Sequence, residues 1–106
     1  MCGEKMNVRD IQKKWSCFEE KKIEQVPDVF GVYELADRNK EIVYIGHGKL
    51  KERLRRHFTE NIYKEVTYFR YEETFSKEKA KKREKALLSK FEKENKRLPK
   101  YNKRFG

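Results

Sequence analysis

Glu84 lies in a stretch, Ser76 to about Lys96, whose apolar residues Ala80, Leu87, Leu88 and Phe91 recur with helical spacing. Rotating by about 100° per residue from Leu87 puts Ala80 near ~20°, Phe91 near ~40° and Glu84 near ~60°. A carboxylate inside that stripe loses its hydration and is strained unless a basic side chain or a metal ion takes it up. Glu84 is therefore a candidate metal ligand, with a salt bridge to a neighbouring arginine as the structural alternative. Glu94 shares the arc near ~340° but falls where the helix should fray.

Two further pairs have types and spacing suited to chemistry. Leu50, Leu54 and Phe58 recur every fourth residue and predict a short basic helix from about Lys49 to Phe58. Arg53 and His57 adjoin its packed face, one turn apart, so a rigid helix aims both at one place, whereas Arg55 and Arg56 point farther away. Tyr33 and Tyr44 each stand within two residues of a glycine, Gly31 and Gly46, in runs rich in β-formers. A tyrosine in a strand is ordinarily a packing group, but glycine inside a strand marks close approach of a ligand or another backbone.

The elements that must hold these residues follow from the patterning. Val29-Phe30-Gly31-Val32-Tyr33-Glu34-Leu35 and Ile42-Val43-Tyr44-Ile45-Gly46 read as two strands joined by the polar turn Asp37-Arg38-Asn39-Lys40. Val66-Thr67-Tyr68-Phe69-Arg70-Tyr71 reads as a third. Ser76 caps the long helix, and Pro99 stops it. Before Pro27, the spacing of Val8, Ile11, Trp15 and Phe18 predicts a helix from Val8 to about Lys22. The whole is a small α+β domain: a three-stranded antiparallel sheet with flanking helices, ββαβα in order, at residues 29–106, preceded by a helical extension at residues 1–28.

Charge narrows the partners. The chain of 106 residues carries a formal +10, and residues 79–106 hold a net +9 of it. Segregated positive charge of this size is a footprint for nucleic acid, against the alternatives of a solubilising helix face or an acidic protein partner. With 13% aromatic residues the chain can build a core despite 43% charge, which argues against disorder. Apolar runs are too short for a membrane span or a secretory signal, so a cytoplasmic protein is expected. Cys2 and Cys17 are too few for a structural zinc site, and no disulfide is expected.

Gly31-Val32-Tyr33, ten residues, then Tyr44-Ile45-Gly46 resembles the signature of the GIY-YIG nuclease superfamily, with Val in place of the first motif's Ile. The order continues through Arg53, similar to the family's catalytic arginine, and Glu84, similar to its metal-binding glutamate. Leu98-Pro99-Lys100-Tyr101-Asn102 resembles its closing Pro-x-x-Asn element, so the likeness runs over about residues 29 to 102. Arg53 stands one residue closer to Tyr44 than in the excision-repair incision nucleases, which leaves Arg55 and Arg56 as neighbours competing for its role. His57 stands where many relatives have Tyr, and His47 where many have Lys.

The resemblance implies a metal-dependent endonuclease acting on nucleic acid, DNA ahead of RNA, with one Mg²⁺ or Mn²⁺ on Glu84. It implies that Arg53 binds the scissile phosphate, that Tyr33 helps deprotonate the water with His57 as relay, and that Tyr44 positions the nucleophile. An ordinary tyrosine ionises near ~10, so Tyr33 would need the nearby charge of Arg53 to act as a base. Gly46, His47, Lys49, Arg56, Lys100, Asn102, Lys103 and Arg104 are the expected nucleic-acid contacts. The alternative is a binding module that keeps the scaffold without cleavage; a recruiting protein partner fits either.

Overall fold

The computed structural model describes residues 9–102. The expectations for Cys2, Val8, Lys103 and Arg104 lie outside the described residues. In chain order the elements are β1 (Ser16–Cys17), α1 (Glu20–Glu24), β2 (Phe30–Ala36), β3 (Ile42–Lys49), α2 (Leu50–Glu60), β4 (Tyr68–Glu73) and α3 (Lys77–Asn95). The strands form one antiparallel sheet in the order β1-β4-β2-β3.

β2 is central and is buried along nearly all its length, as a run of Val, Tyr, Leu and Ala between two partner strands should be. Its alternation sends Tyr33 and Leu35 to one face, packed with Ile23, Val26, Leu50, Leu54 and Phe69. Val32 goes to the other face, with Ile11, Ile45 and Leu87. Helices α1 and α2 thus cover one side of the sheet and α3 the other.

Local chemistry sets the joints. Asp37 Oδ1 accepts from the amides of Asn39 at 2.9 Å and Glu41 at 3.0 Å, which closes the β2–β3 turn as the polar run predicted. Asp28 Oδ1 accepts from Glu52 N at 3.2 Å and serves the open start of α2. Ser76 Oγ accepts from Lys79 N at 3.1 Å and caps α3 as expected.

The N-terminal expectation is corrected. Residues 9–22 do not form one helix: Ser16 and Cys17 pair with Phe69 and Tyr68, making a fourth strand, and the helix found in this part of the chain is Glu20–Glu24. The apolar residues that mimicked one helical face serve different places. Ile11 joins the α3 side, Trp15 lies under the Arg70 guanidinium at 4.2 Å, and Phe18 packs edge-on against Phe58 and Phe69. The exposed backbone edge of β4 supplies ladder partners that a helix could not use. Among the described residues no helix is long and apolar enough to cross a membrane.

Candidate active site

The antiparallel register places Tyr33 opposite Gly46 and Leu35 opposite Tyr44, so both motif tyrosines share the α2 side of the sheet. Glycine at 46 is a space requirement: a Cβ there would meet Tyr33 Cζ and Oη at 2.6 Å. The ring of Tyr33 crosses directly over this backbone. Gly48 answers a second need. Its φ of +142° suits glycine, and a Cβ there would press on Arg53 Cγ at 3.0 Å as α2 begins.

Tyr33 is fully buried and its hydroxyl oxygen lies in hydrogen-bond contact with His57 Nε2 at 3.0 Å, the imidazole tautomer setting which of the two donates. His57 Nδ1 is buried and finds no hydrogen-bond partner; in the tautomer that carries its proton there, Nε2 is free to accept from the phenol. Burial, helped by the positive charges of Arg53 and Arg56, lowers the His57 pKa to about 4, so the imidazole is neutral at physiological pH. Burial also pushes the Tyr33 phenol far above the usual range, and nearby Tyr44 adds to this, while Arg53 pulls the other way without prevailing. The expectation that Arg53 would make Tyr33 a ready base is therefore corrected: desolvation wins.

Arg53 is held against both phenols, and its proximity to Tyr33 above all raises the guanidinium pKa beyond its already high value. Its Nε is buried without a hydrogen-bond partner, an unmet donor of the kind that an anionic ligand satisfies. Beside it opens a pocket of about 230 Å³ lined by Tyr44, Arg53, Arg56, His57, Ile62 and Tyr63. Tyr63 was missed by sequence reasoning. It lies in an irregular connection with no periodicity, yet its ring centroid is 5.3 Å from that of Tyr44 and stacks at 4.0 Å on Tyr101.

Glu84 and His47 meet on the α3 side, His47 Nδ1 standing 3.1 Å from Glu84 Oε1. The apolar stripe itself is as expected, with Ala80 and Leu87 buried. Glu84 is not sealed inside it: its side chain keeps 20% of its exposure. The expected desolvation strain is thus corrected to partial burial at the stripe's edge. Its charge reaches the other face, where it contributes slightly to raising the Tyr33 pKa.

Other buried or partly buried carboxylates are committed to full cations: Glu34 to Arg70 at 2.6 Å, Glu72 to Arg83 at 2.7 Å, Glu65 to Lys100 at 2.9 Å. Among the described residues Glu84 has no Lys or Arg in ion-pair range, and no group of three His, Cys, Asp or Glu side chains gathers to form a metal cage. One solvent-reached carboxylate, faced by His47 and by no lysine or arginine, fits a hard divalent cation that retains most of its own waters.

The expected nucleic-acid contacts divide. Arg56 lines the pocket, paired with Glu60 at 3.3 Å, and Lys49 lies 5.8 Å from the Phe30 ring centroid. Lys100 is elsewhere, tied to Glu65 at 2.9 Å. Two expectations are corrected. Gly46 is buried beneath the Tyr33 ring. Asn102 spends its amide on Ile45, Oδ1 accepting from the backbone N at 2.8 Å and Nδ2 donating to the carbonyl at 2.9 Å.

The His57 environment predicts a pH response. Between about pH 4 and 6.5 the unfolded chain binds a proton at this imidazole that the folded chain refuses, so stability falls as pH is lowered through that window. The loss from this group is about 3 kcal/mol when complete. Glu34, whose carboxyl burial holds above its ordinary range despite Arg70, titrates with the opposite sign. Urea melts at pH 7 and 4.5 should therefore show an acid-induced loss about 2–3 kcal/mol greater for the native chain than for His57→Gln. Equal losses would show that the imidazole titrates normally.

Two crystal structures resemble this chain closely in fold. Both are point mutants of the GIY-YIG N-terminal endonuclease domain of UvrC from Thermotoga maritima, bound to its catalytic divalent cation. One is 27% identical with a TM-score of 0.64, covering 79% of this chain and 93% of that one. The other is 28% identical with a TM-score of 0.63, over the same shares. No curated protein matches the chain. A family model described as "Domain of unknown function (DUF7508)" matches residues 9–94. With that span matched, the chain belongs to the DUF7508 family, and its fold is a GIY-YIG-like domain.

Proposed function

We propose that the chain is a divalent-metal-dependent endonuclease that hydrolyses phosphodiester bonds in nucleic acid, DNA in the first instance. The observation that carries this reading is the Tyr33–His57 hydrogen bond beside the unmet Arg53 donor, at the wall of an open pocket. Arg53 binds a nonbridging oxygen of the scissile phosphate, where guanidinium geometry and fixed charge favour the transition state. Tyr44 positions the attacking water. That water passes a proton to the Tyr33 oxygen as Tyr33 passes its own to neutral His57 Nε2, so the phenol never has to ionise beforehand.

Glu84 holds one Mg²⁺ or Mn²⁺, which when bound supplies charge relief at the phosphate and the leaving oxygen. Supercoiled plasmid should be nicked with Mg²⁺ or Mn²⁺ and left intact with EDTA. Binding without cleavage in either metal would overturn the catalytic reading in favour of a binding module on the same scaffold.

Affinity should be dominated by the phosphate backbone, given the net +9 of residues 79–106. If about five phosphates are neutralised, log K against log salt should fall with a slope near about −4 to −5 on duplex DNA. A flat response, or tight binding to a single base sequence only, would contradict this.

A further inference from the structure

Phe75 is the largest apolar side chain exposed among the described residues, at 70% of its full accessibility, and its backbone has φ +65°. A bulky residue pays strain to stand in the left-handed region, so its conformation is imposed by what surrounds it. The surroundings are specific: the amides of Thr74 and Phe75 both donate to Phe30 O at 2.9 Å. Phe30 pairs with Lys49, so the β4–α3 corner is pinned to the end of the sheet from which α2 and Arg53 begin. Core packing does not explain the ring, because the ring is outside.

A row of lysines leads away from it. Lys77, Lys81 and Lys85 recur every fourth residue along α3, spanning about 12 Å, and lie within about 100° of Glu84 around the helix. None is in an ion pair among the described residues. Uncommitted cations along a helix that begins two residues after an exposed aromatic ring on a pinned backbone are the parts of a surface that tracks a nucleic-acid strand and stacks on its bases.

Resting on the functional reading above, we propose that Phe75 is a stacking platform for an unpaired base of the substrate, with the Lys77–Lys81–Lys85 row holding the adjoining phosphates. The substrate class is then a strand with unstacked bases, such as a flap or single-stranded segment, in preference to continuous duplex. A paired base has both faces covered by its neighbours and offers the ring nothing.

The test is equilibrium anisotropy in EDTA with two probes of one sequence, a fully paired duplex and a duplex with a single-stranded flap carrying 2-aminopurine. Native protein should favour the flapped probe and quench its fluorescence. Phe75→Ala should lose on the order of 10-fold affinity for that probe, and less than about 2-fold for the paired one, with the quench abolished. Phe75→Gly, which relieves the backbone, should melt no lower than the native chain and show the same binding loss, which separates stacking from misfolding. Lys81→Ala should weaken both probes alike.

Equal binding of the two probes by native protein, or an equal effect of Phe75→Ala on both, overturns the proposal. If native protein binds and nicks DNA while Phe75→Ala behaves identically, only this proposal falls. If native protein binds neither probe, the functional reading falls with it.

Discussion

Replacing Glu84 with glutamine is expected to lower metal-dependent cleavage by about 10³-fold or more, because the change removes the one charged protein ligand proposed for the cation. The same change should abolish thermal stabilisation by Mg²⁺. At a metal concentration about 100 times its Kd, that stabilisation is about 2.7 kcal/mol in the native protein, several degrees of melting temperature for a domain this size. Metal-free stability should barely move. The side chain is partly exposed, faces His47 rather than an arginine, and is matched in size by glutamine. A structural salt bridge would behave otherwise, since removing its charge leaves a basic partner unmet. Melts with and without Mg²⁺, run beside a nicking assay, separate the two. Undiminished cutting by Glu84→Gln would move the metal site elsewhere, and Glu94 is a poor substitute while Lys90 holds it at 2.6 Å.

Arg53→Ala should lose about 10²-fold or more in single-turnover rate at saturating substrate, with the fold intact. Arg53→Lys should recover little, because a point charge does not reproduce the planar fork. A second signature follows from electrostatics: the Arg53 charge helps hold the His57 pKa down. Removing it should move the acid limb of the pH–rate profile to higher pH. The neighbouring arginines are engaged differently. Arg55 is bound bidentately to Glu24 on the outer side of α2 and should affect stability by less than about 1 kcal/mol. Arg56 lines the pocket and should affect binding more than rate. A dead Arg56→Ala beside an active Arg53→Ala would mean that the wrong arginine has been aligned with the motif.

The motif tyrosines, Arg53, His57 and Glu84 were legible because each sits in a regular element, where period and register convert position into direction. Residues 9–22 were not, because spacings of three and four suit a helix and equally suit an extended segment whose apolar residues go to separate places. For Glu84 the helical phase correctly gave direction around the axis. It could not reveal that the facing sheet offers His47, a polar and partly exposed side chain, in place of an apolar floor. Tyr63 had no period to betray it, and the Tyr33 pKa depends on a burial that only the assembled sheet creates.

The contact between Asn102 and Ile45 has a bearing on solubility. β3 is an outer strand of the sheet, and a strand so placed presents a ladder of free donors and acceptors to any other chain. Here Tyr101 N donates to Val43 O at 2.9 Å, and the Asn102 amide takes both backbone groups of Ile45. Three successive rungs are occupied from within the molecule. Along that stretch the strand bearing the second motif is thereby closed to pairing with its own kind, and it does not offer itself there as a template for fibrils.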